Sequence, residues 1–169
     1  MLSESGKNMD LNNKSTVEQI RARFGSDVER FSKLTIQGDM RNLRVAPGSF
    51  DVILAGAVLH HLRDERDWER MFQQMHSWLR PGGLLFVADL VIVDDPAIHA
   101  LMWERYGDYL EGLNGPDYRA EVMEYIDVED SPRSLRYQLD LAQACGFVDY
   151  DVLHRNSVFA TYYARKSAS

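Results

Sequence analysis

The sequence holds a single cysteine, Cys145, and no apolar run that approaches the roughly 18 residues of a membrane-spanning helix. One cysteine excludes a disulfide framework and a CxxC zinc pattern, so we interpret Cys145 in LAQACGF as a buried structural thiol in a reducing cytoplasm. The polar first fourteen residues do not resemble a signal peptide. We therefore expect a soluble, cytoplasmic protein with no membrane association.

Basic residues are also scarce, because 19 Lys and Arg face 26 Asp and Glu and give a formal net charge of -7. This balance argues against nucleic acid or an anionic membrane as the main partner and favours a small molecule. A length of 169 residues with 45% hydrophobic content suits one domain with one core.

Residues 50–90 predict a complete strand, loop, helix, turn and strand unit. The apolar run at 52–54 ends in small residues, as expected of a strand buried on both faces, and 84–90 predict a second strand. Asp64 and Asp67 can cap the helix between them, and the PGG sequence at 81–83 ends it. Apolar residues recur inside the helix at helical spacing: Trp68, Met71, Phe72, Met75, Trp78 and Leu79. Two strands joined this way form a right-handed parallel unit, so the predicted fold class is α/β.

The remaining segments complete the predicted order of elements. Residues 1–14 predict a disordered leader, and 15–34 predict an amphipathic helix capped by Ser15. Asp95 with Pro96 starts a helical insert at 96–130, broken at 114–116, with a second short helix over 117–126. Another helix spans 133–145, and 147–154 with 158–166 predict a hairpin around Asn156.

The sequence FDVILAGAVLHHL followed by LRPGGLLFVADL resembles the fourth and fifth strand region of class I S-adenosylmethionine-dependent methyltransferases, in that order and spacing. The resemblance runs from about residue 36 to the C-terminus, and STVEQIRARFGSDVERFSKL resembles an N-terminal helical lead-in of some members. It implies an incomplete Rossmann-like, mostly parallel sheet with flanking helices and a C-terminal antiparallel hairpin. One methyltransferase-like domain would cover 15–169, with a partial cofactor-binding core at 35–95, a helical cap at 96–130 and a C-terminal helix and hairpin at 131–169.

Two signatures of the family are absent: the GxGxG turn after the first strand and the acidic residue that closes the second strand. The sequence passes from the helix ending near Leu34 directly to third-strand sequence near Thr35. We therefore expect that about 60 residues, or two βα units of roughly 30 each, are missing, as in an internal deletion or a truncated gene model. The strand at 52–57 would then have a bare apolar edge, which could recruit a second copy and form a homo-oligomer.

The resemblance also implies a binding site for S-adenosylmethionine. In TIQGDMRNLR, Asp39 would accept a hydrogen bond from the adenine amine, Gly38 is the small residue before it, and the backbone N–H of Met40 would serve a ring nitrogen. The alternative for Asp39 is an ordinary turn residue. After the fourth strand, Ala55, Gly56, Ala57 and His60 would line the methionine end of the cofactor.

His60 and His61 are the candidate catalytic residues, because removing a proton from the acceptor is the only general-base step that methyl transfer needs. A packing or solvent-facing role for His60 remains open, and Asp89 faces the acceptor or begins a loop. We predict no metal site, since adjacent histidines point in different directions and no HxxxH or HxH partner is nearby. The insert also carries aromatic residues that contact a cofactor or acceptor, or simply pack in the core: Trp103, Tyr106, Tyr109, Tyr118 and Tyr125.

The sequence thus predicts methyl transfer from S-adenosylmethionine to a small-molecule acceptor. The alternative is a non-catalytic, methyltransferase-like fragment that cannot hold the cofactor because the GxGxG turn is missing. A nicotinamide dehydrogenase is disfavoured, since that class depends on the same absent turn.

Overall fold

The computed structural model describes residues 38–169. The chain divides into two compact units, Met1–Met40 and Arg41–Ser169, and the fold below is that of the second unit. The predicted leader at 1–14 and the predicted helix at 15–34 lie outside the described residues.

The second unit holds four strands and four α-helices in the described part. The strands are β1 (Phe50–Gly56), β2 (Leu79–Leu90), β3 (Phe147–Asn156) and β4 (Phe159–Lys166). The helices are α1 (Glu65–Trp78), α2 (Pro96–Asn114), α3 (Pro116–Glu129) and α4 (Leu135–Ala144). Short 3₁₀ turns cover Met40–Asn42 and Leu59–His61.

Helix α1 forms where the sequence predicts it, because its start and its buried face are both locally encoded. Asp64 Oδ1 accepts a hydrogen bond from the Asp67 backbone N–H at 2.8 Å, which satisfies one of the free donors at the helix start. The predicted apolar residues are buried, with Trp68 and Phe72 fully enclosed, and α1 packs on β2. Each large side chain buried in this way contributes about 1.5–3 kcal/mol to folding.

The strands form one sheet in the order β1-β2-β4-β3. The β1 and β2 strands pair in parallel, as predicted, while β2 with β4 and β3 with β4 pair antiparallel. The α/β class and the C-terminal hairpin are therefore confirmed. The described sheet is mixed rather than mostly parallel, because the hairpin supplies two of its four strands.

Strand β2 begins earlier than predicted, at Leu79 rather than at residue 84. Phe50 pairs with Leu79, and the register then shifts so that Val52 pairs with Leu84. Gly83 lies so close to its neighbours that a β-carbon there would be 2.9 Å from the Arg80 carbonyl oxygen and 3.1 Å from that of Asp51. The glycine that ends the helix in the sequence pattern thus also permits close backbone approach at the start of the strand.

Strand β1 is not buried on both faces, contrary to the sequence expectation. Ala55 is 7% exposed, whereas its neighbour Leu54, which points to the opposite face of the sheet, is 77% exposed. Within residues 38–169, β2 is the only strand that pairs with β1. The bare apolar edge that the sequence predicts for this strand stays a prediction.

The helices after β2 are positioned by their caps. Asp95 accepts hydrogen bonds from the backbone N–H groups of Ala97 and Ile98, at 2.9 and 3.0 Å, and Gly115 separates α2 from α3 with a φ of 86°. Ser134 caps α4 by accepting from Tyr137 N–H at 3.2 Å. In the described part, no helix is both long and apolar enough to span a membrane.

Candidate active site

Asp89 is the centre of a buried polar site at the carboxyl end of β2. Its side chain is 1% exposed, and its Oδ2 accepts from the backbone N–H groups of Leu59 at 2.7 Å and Val58 at 3.3 Å. Its Oδ1 accepts from Leu90 N–H at 2.7 Å and pairs with His60 Nδ1. These donors compensate for burial of the carboxylate and hold the loop after β1 against the end of β2.

Asp130 approaches the same loop from the end of α3. Its Oδ1 lies 2.8 Å from His61 Nδ1 and its Oδ2 lies 3.7 Å from His60 Nε2, while its side chain is only 3% exposed. The Ser131 backbone N–H donates to the His60 carbonyl oxygen at 2.7 Å. The 3₁₀ turn Leu59–His61 is therefore held between β2 and the end of α3, and His60 has a carboxylate near each ring nitrogen.

This arrangement fixes the protonation pattern of His60. Burial alone would lower its pKa, but the hydrogen bond to Asp89 and the negative charges of Asp89 and Asp130 outweigh burial and raise the pKa above the ordinary value. A carboxylate only accepts hydrogen bonds, so Nδ1 carries the proton in the neutral ring and Nε2 is free to take another. The site can therefore accept a proton at Nε2 and stabilise the resulting imidazolium.

His60, His61 and Asp130 also form a group of potential metal ligands whose donor atoms lie within 4.8 Å of one another. The imidazole rings are close, with centroids 4.2 Å apart, and their shared partner comes from a distant part of the sequence. Ligands about 2.0–2.1 Å from a tetrahedral zinc ion lie roughly 3.3 Å apart, whereas His61 Nδ1 and Asp130 Oδ1 are at hydrogen-bond distance. We interpret this contact as a hydrogen bond, and the absence of a metal site stays a prediction.

The residues predicted to line the methionine end of a cofactor lie together at the end of β1. Ala55 is buried, and Gly56 and Ala57 are exposed. A β-carbon at Gly56 would meet nothing within 4 Å, and Ala57 adopts a φ of 50° while its N–H donates to the Ala88 carbonyl oxygen at 2.8 Å. The loop thus offers an open surface of small residues, next in the chain to the turn that carries His60.

Gly38, Asp39 and Met40 belong to the first compact unit. Their proposed contacts with adenine stay predictions. The predicted aromatic cap is mixed in character, because Trp103 and Tyr106 pack against the buried cluster of Leu90, Ile126 and Val158. Tyr109 and Tyr125 are instead 61% and 56% exposed.

Sequence reasoning found His60 and named Asp89, but it missed Asp130. The contact between His61 and Asp130 joins residues 69 positions apart, so no local spacing reveals it. The available signal was an acidic residue at the end of the predicted insert 96–130, which topology brings toward the carboxyl ends of the parallel strands.

Comparisons with known proteins agree with the resemblance seen in the sequence. Residues 8–87 match the family described as "Methyltransferase domain". The chain is 26% identical over 98 residues to a carboxy-S-adenosyl-L-methionine synthase from Photobacterium profundum, covering 58% of this chain and 39% of that protein. It is 38% identical over 69 residues to a malonyl-[acyl-carrier protein] O-methyltransferase from Prosthecochloris aestuarii, covering 41% of this chain and 23% of that protein. The matched regions thus span well under two thirds of both relatives.

Among solved structures, human N-acetylserotonin methyltransferase in complex with SAM has the same fold. The TM-score is 0.52 at 17% sequence identity, over 78% of this chain and 33% of that one. The ordered strand motifs, the parallel β1 and β2 pair, the closing antiparallel hairpin and the family match all point the same way. Residues 8–87 therefore match a methyltransferase domain, and these findings support the resemblance of the chain to class I S-adenosylmethionine-dependent methyltransferases.

Proposed function

We propose that the chain transfers a methyl group from S-adenosylmethionine to a small-molecule acceptor, with His60 as the general base. The observation that carries the proposal is the placement of His60 between the buried carboxylates of Asp89 and Asp130, at the carboxyl edge of a methyltransferase fold. Ligands of open α/β sheets bind at this edge.

The cofactor would supply an electrophilic methyl group and a neutral leaving group. His60 Nε2 would receive the proton of an acceptor hydroxyl or amine as the new bond to carbon forms. Asp89 would hold the ring in the required tautomer and, with Asp130, stabilise the imidazolium. His61 has its Nδ1 bonded to Asp130, so we assign it the secondary role of fixing that carboxylate.

The described residues form only part of a cofactor site. The small residues at the end of β1 suit the methionine end, since they leave room and expose backbone beside His60. The sequence offers no GxGxG turn for the rest of the cofactor. We infer that the chain lacks the first two βα units and binds S-adenosylmethionine weakly.

The same inference supports the domain assignment proposed from the sequence. The 35–95 segment would be a partial cofactor-binding core, 96–130 a cap over the site, and 131–169 the closing helix and hairpin. A cytoplasmic location fits a single cysteine whose thiol pKa is raised by burial and by Glu69.

A specific observation favours the non-catalytic alternative as well. In the described part β1 has one strand neighbour, and Leu54 on its open face is 77% exposed. A parallel strand of this composition is normally covered on both sides, so a second copy would gain apolar contacts by pairing there. In this alternative the chain self-associates and does not methylate.

The test is formation of S-adenosylhomocysteine from millimolar S-adenosylmethionine with a panel of small hydroxyl and amine acceptors. We expect His60→Gln to lose about 100-fold or more of the rate, since general-base catalysis typically contributes that much. His99→Gln, on α2 where the His99 Nδ1 accepts from the Val93 backbone N–H at 3.4 Å, is the matched control and should retain the rate. Because the base must be unprotonated and its pKa is raised, the rate should climb with pH above about 6.5. No product with any acceptor would favour the non-catalytic alternative.

A further inference from the structure

A pocket of about 580 Å³ lies between α2 and the turn that joins β3 to β4. Phe159 at its wall pairs across the sheet with Leu90, which directly follows Asp89. The pocket therefore opens at the same edge of the sheet as the candidate base. Its volume falls within the range of small-molecule sites, about 300–1,000 Å³.

Aromatic rings form the apolar side of this pocket. The Tyr106 ring packs edge-on against Phe159, with centroids 5.4 Å apart at 73°, and lies parallel to Tyr109 at 6.4 Å and 21°. Large aromatic rings are usually buried in a core, but Tyr109 is 61% exposed and Phe159 is 39% exposed. Rings held at these angles and left uncovered offer stacking surfaces to a planar ligand.

The polar side of the pocket is positive or neutral. Arg105, His154 and Ser157 line it, and none of the described residues that line it is a carboxylate. The lining thus differs in charge from the whole chain, which has a net charge of -7. An anion entering this pocket would meet the Arg105 guanidinium, and no carboxylate stands among the described lining residues to repel it, while the Ser157 hydroxyl is already donated to the Met102 carbonyl oxygen.

Arg105 is available to a ligand because the carboxylates of its helix are already used. Glu104, Asp108 and Glu111 all pair with Arg119 of α3, at 2.7, 3.2 and 3.3 Å. Arg105 itself forms no ion pair with any described residue. A guanidinium beside exposed aromatic rings can bind a carboxylate through two parallel hydrogen bonds while a ring stacks alongside.

We propose that this pocket binds a planar aromatic molecule that carries an anionic group, with Arg105 holding the anion and Tyr109 and Phe159 stacking on the ring. If the proposed methyl transfer is correct, that molecule is the acceptor class. The binding itself does not depend on it. Burial, with smaller effects of Tyr118 and Tyr109, raises the pKa of Tyr106, so its hydroxyl remains a neutral donor at the pocket wall.

The test is calorimetric titration of the full chain, without S-adenosylmethionine, against three probes: 2-naphthoate, its neutral isostere 2-naphthamide, and the saturated decalin-2-carboxylate. Naphthoate should bind at least about tenfold more tightly than naphthamide, the ratio expected of one charge-assisted contact. It should also bind about threefold or more tightly than the saturated acid, because only the flat ring stacks.

Two variants and a control separate the contributions. Arg105→Gln should weaken naphthoate binding by about tenfold and leave naphthamide unchanged. Tyr109→Leu should weaken naphthoate by about threefold and leave the saturated acid unchanged. Arg136→Gln, an arginine on α4 that is 78% exposed and paired with Asp94, should change nothing.

The proposal is overturned if the full chain binds none of the probes, if naphthoate and naphthamide bind equally, or if Arg105→Gln behaves like Arg136→Gln. Because no cofactor is present, a chain that binds naphthoate and fails to methylate refutes the proposed function and leaves the pocket assignment standing.

Discussion

Replacing Asp89 by asparagine perturbs the buried site without changing its size. In the native chain, Asp89 Oδ2 accepts hydrogen bonds from the Val58 and Leu59 N–H groups. Asp89 Oδ1 accepts from the Leu90 N–H and pairs with His60 Nδ1. If the asparagine oxygen takes the Oδ2 position, the loop bonds survive and the amide group faces Leu90 N–H and His60 Nδ1. His60 can adapt by switching tautomer, but Leu90 N–H then lacks an acceptor, at a cost of about 1–3 kcal/mol.

The pH dependence distinguishes this mechanism from a general packing defect. The pKa of His60 is raised in the folded chain, so the stability that its protonated form contributes is fully present below about pH 6.5. That contribution is lost as pH rises through the folded-state pKa. Asp89→Asn should therefore destabilise the chain more at pH 5.5 than at pH 8.5, since the Asp89 carboxylate stabilises the imidazolium and a neutral asparagine amide does not.

Urea unfolding, followed by tryptophan fluorescence at both pH values, measures the two free energies of unfolding. Asp149→Asn is the matched control, because the Asp149 side chain is 52% exposed and, among residues 38–169, bonds to Tyr163 and Arg165 at 3.1 and 3.4 Å. It should stay within about 0.5 kcal/mol of wild type at each pH. An equal loss for Asp89→Asn at pH 5.5 and pH 8.5 would refute the assignment of His60 as a base held by this carboxylate.

Three further outcomes follow from the sequence and the structure. Asp64→Ala should lower the free energy of unfolding by about 1 kcal/mol through loss of the α1 cap, with no change in cofactor affinity, as urea unfolding and titration would show. Asp39→Ala should weaken any measurable S-adenosylmethionine binding by about 1–3 kcal/mol in calorimetry, and equal affinity would defeat the adenine assignment. Wild type should self-associate in size-exclusion chromatography with light scattering, and Leu54→Lys should shift the chain toward monomer. A wild-type monomer with cooperative melting would contradict self-association through the edge of β1.

The sequence predicts best the features that are encoded by neighbouring residues. Asp64 and Asp95 each lie at the start of an amphipathic or Pro-led segment, and both cap helices in the structure. The parallel β1 and β2 pair follows from the crossover helix and its right-handed geometry. The hairpin follows from alternation on either side of Asn156, and its strands pair as expected.

Features that depend on distant residues could not be predicted in the same way. Asp130 reaches the site only because α2 and α3 return the chain to the end of β1, and nothing near His61 in the sequence signals that path. The Arg119 network, which occupies the carboxylates of the helix that carries Arg105, joins two helices of the insert and has no short-range pattern. The exposure of Leu54 depends on which elements cover β1, and an apolar strand looks the same in sequence whether or not it is covered.

Calorimetric titration of the full chain with S-adenosylmethionine tests the central claim most directly. We propose that the described residues form the acceptor half of a methyltransferase site. The glycine-rich half, which would bind the rest of the cofactor, is missing in this proposal. It predicts a dissociation constant of roughly 1 mM or weaker, about -4.1 kcal/mol. A dissociation constant near 1 μM, about -8.2 kcal/mol, would show that the residues present form a complete cofactor site and would contradict the account.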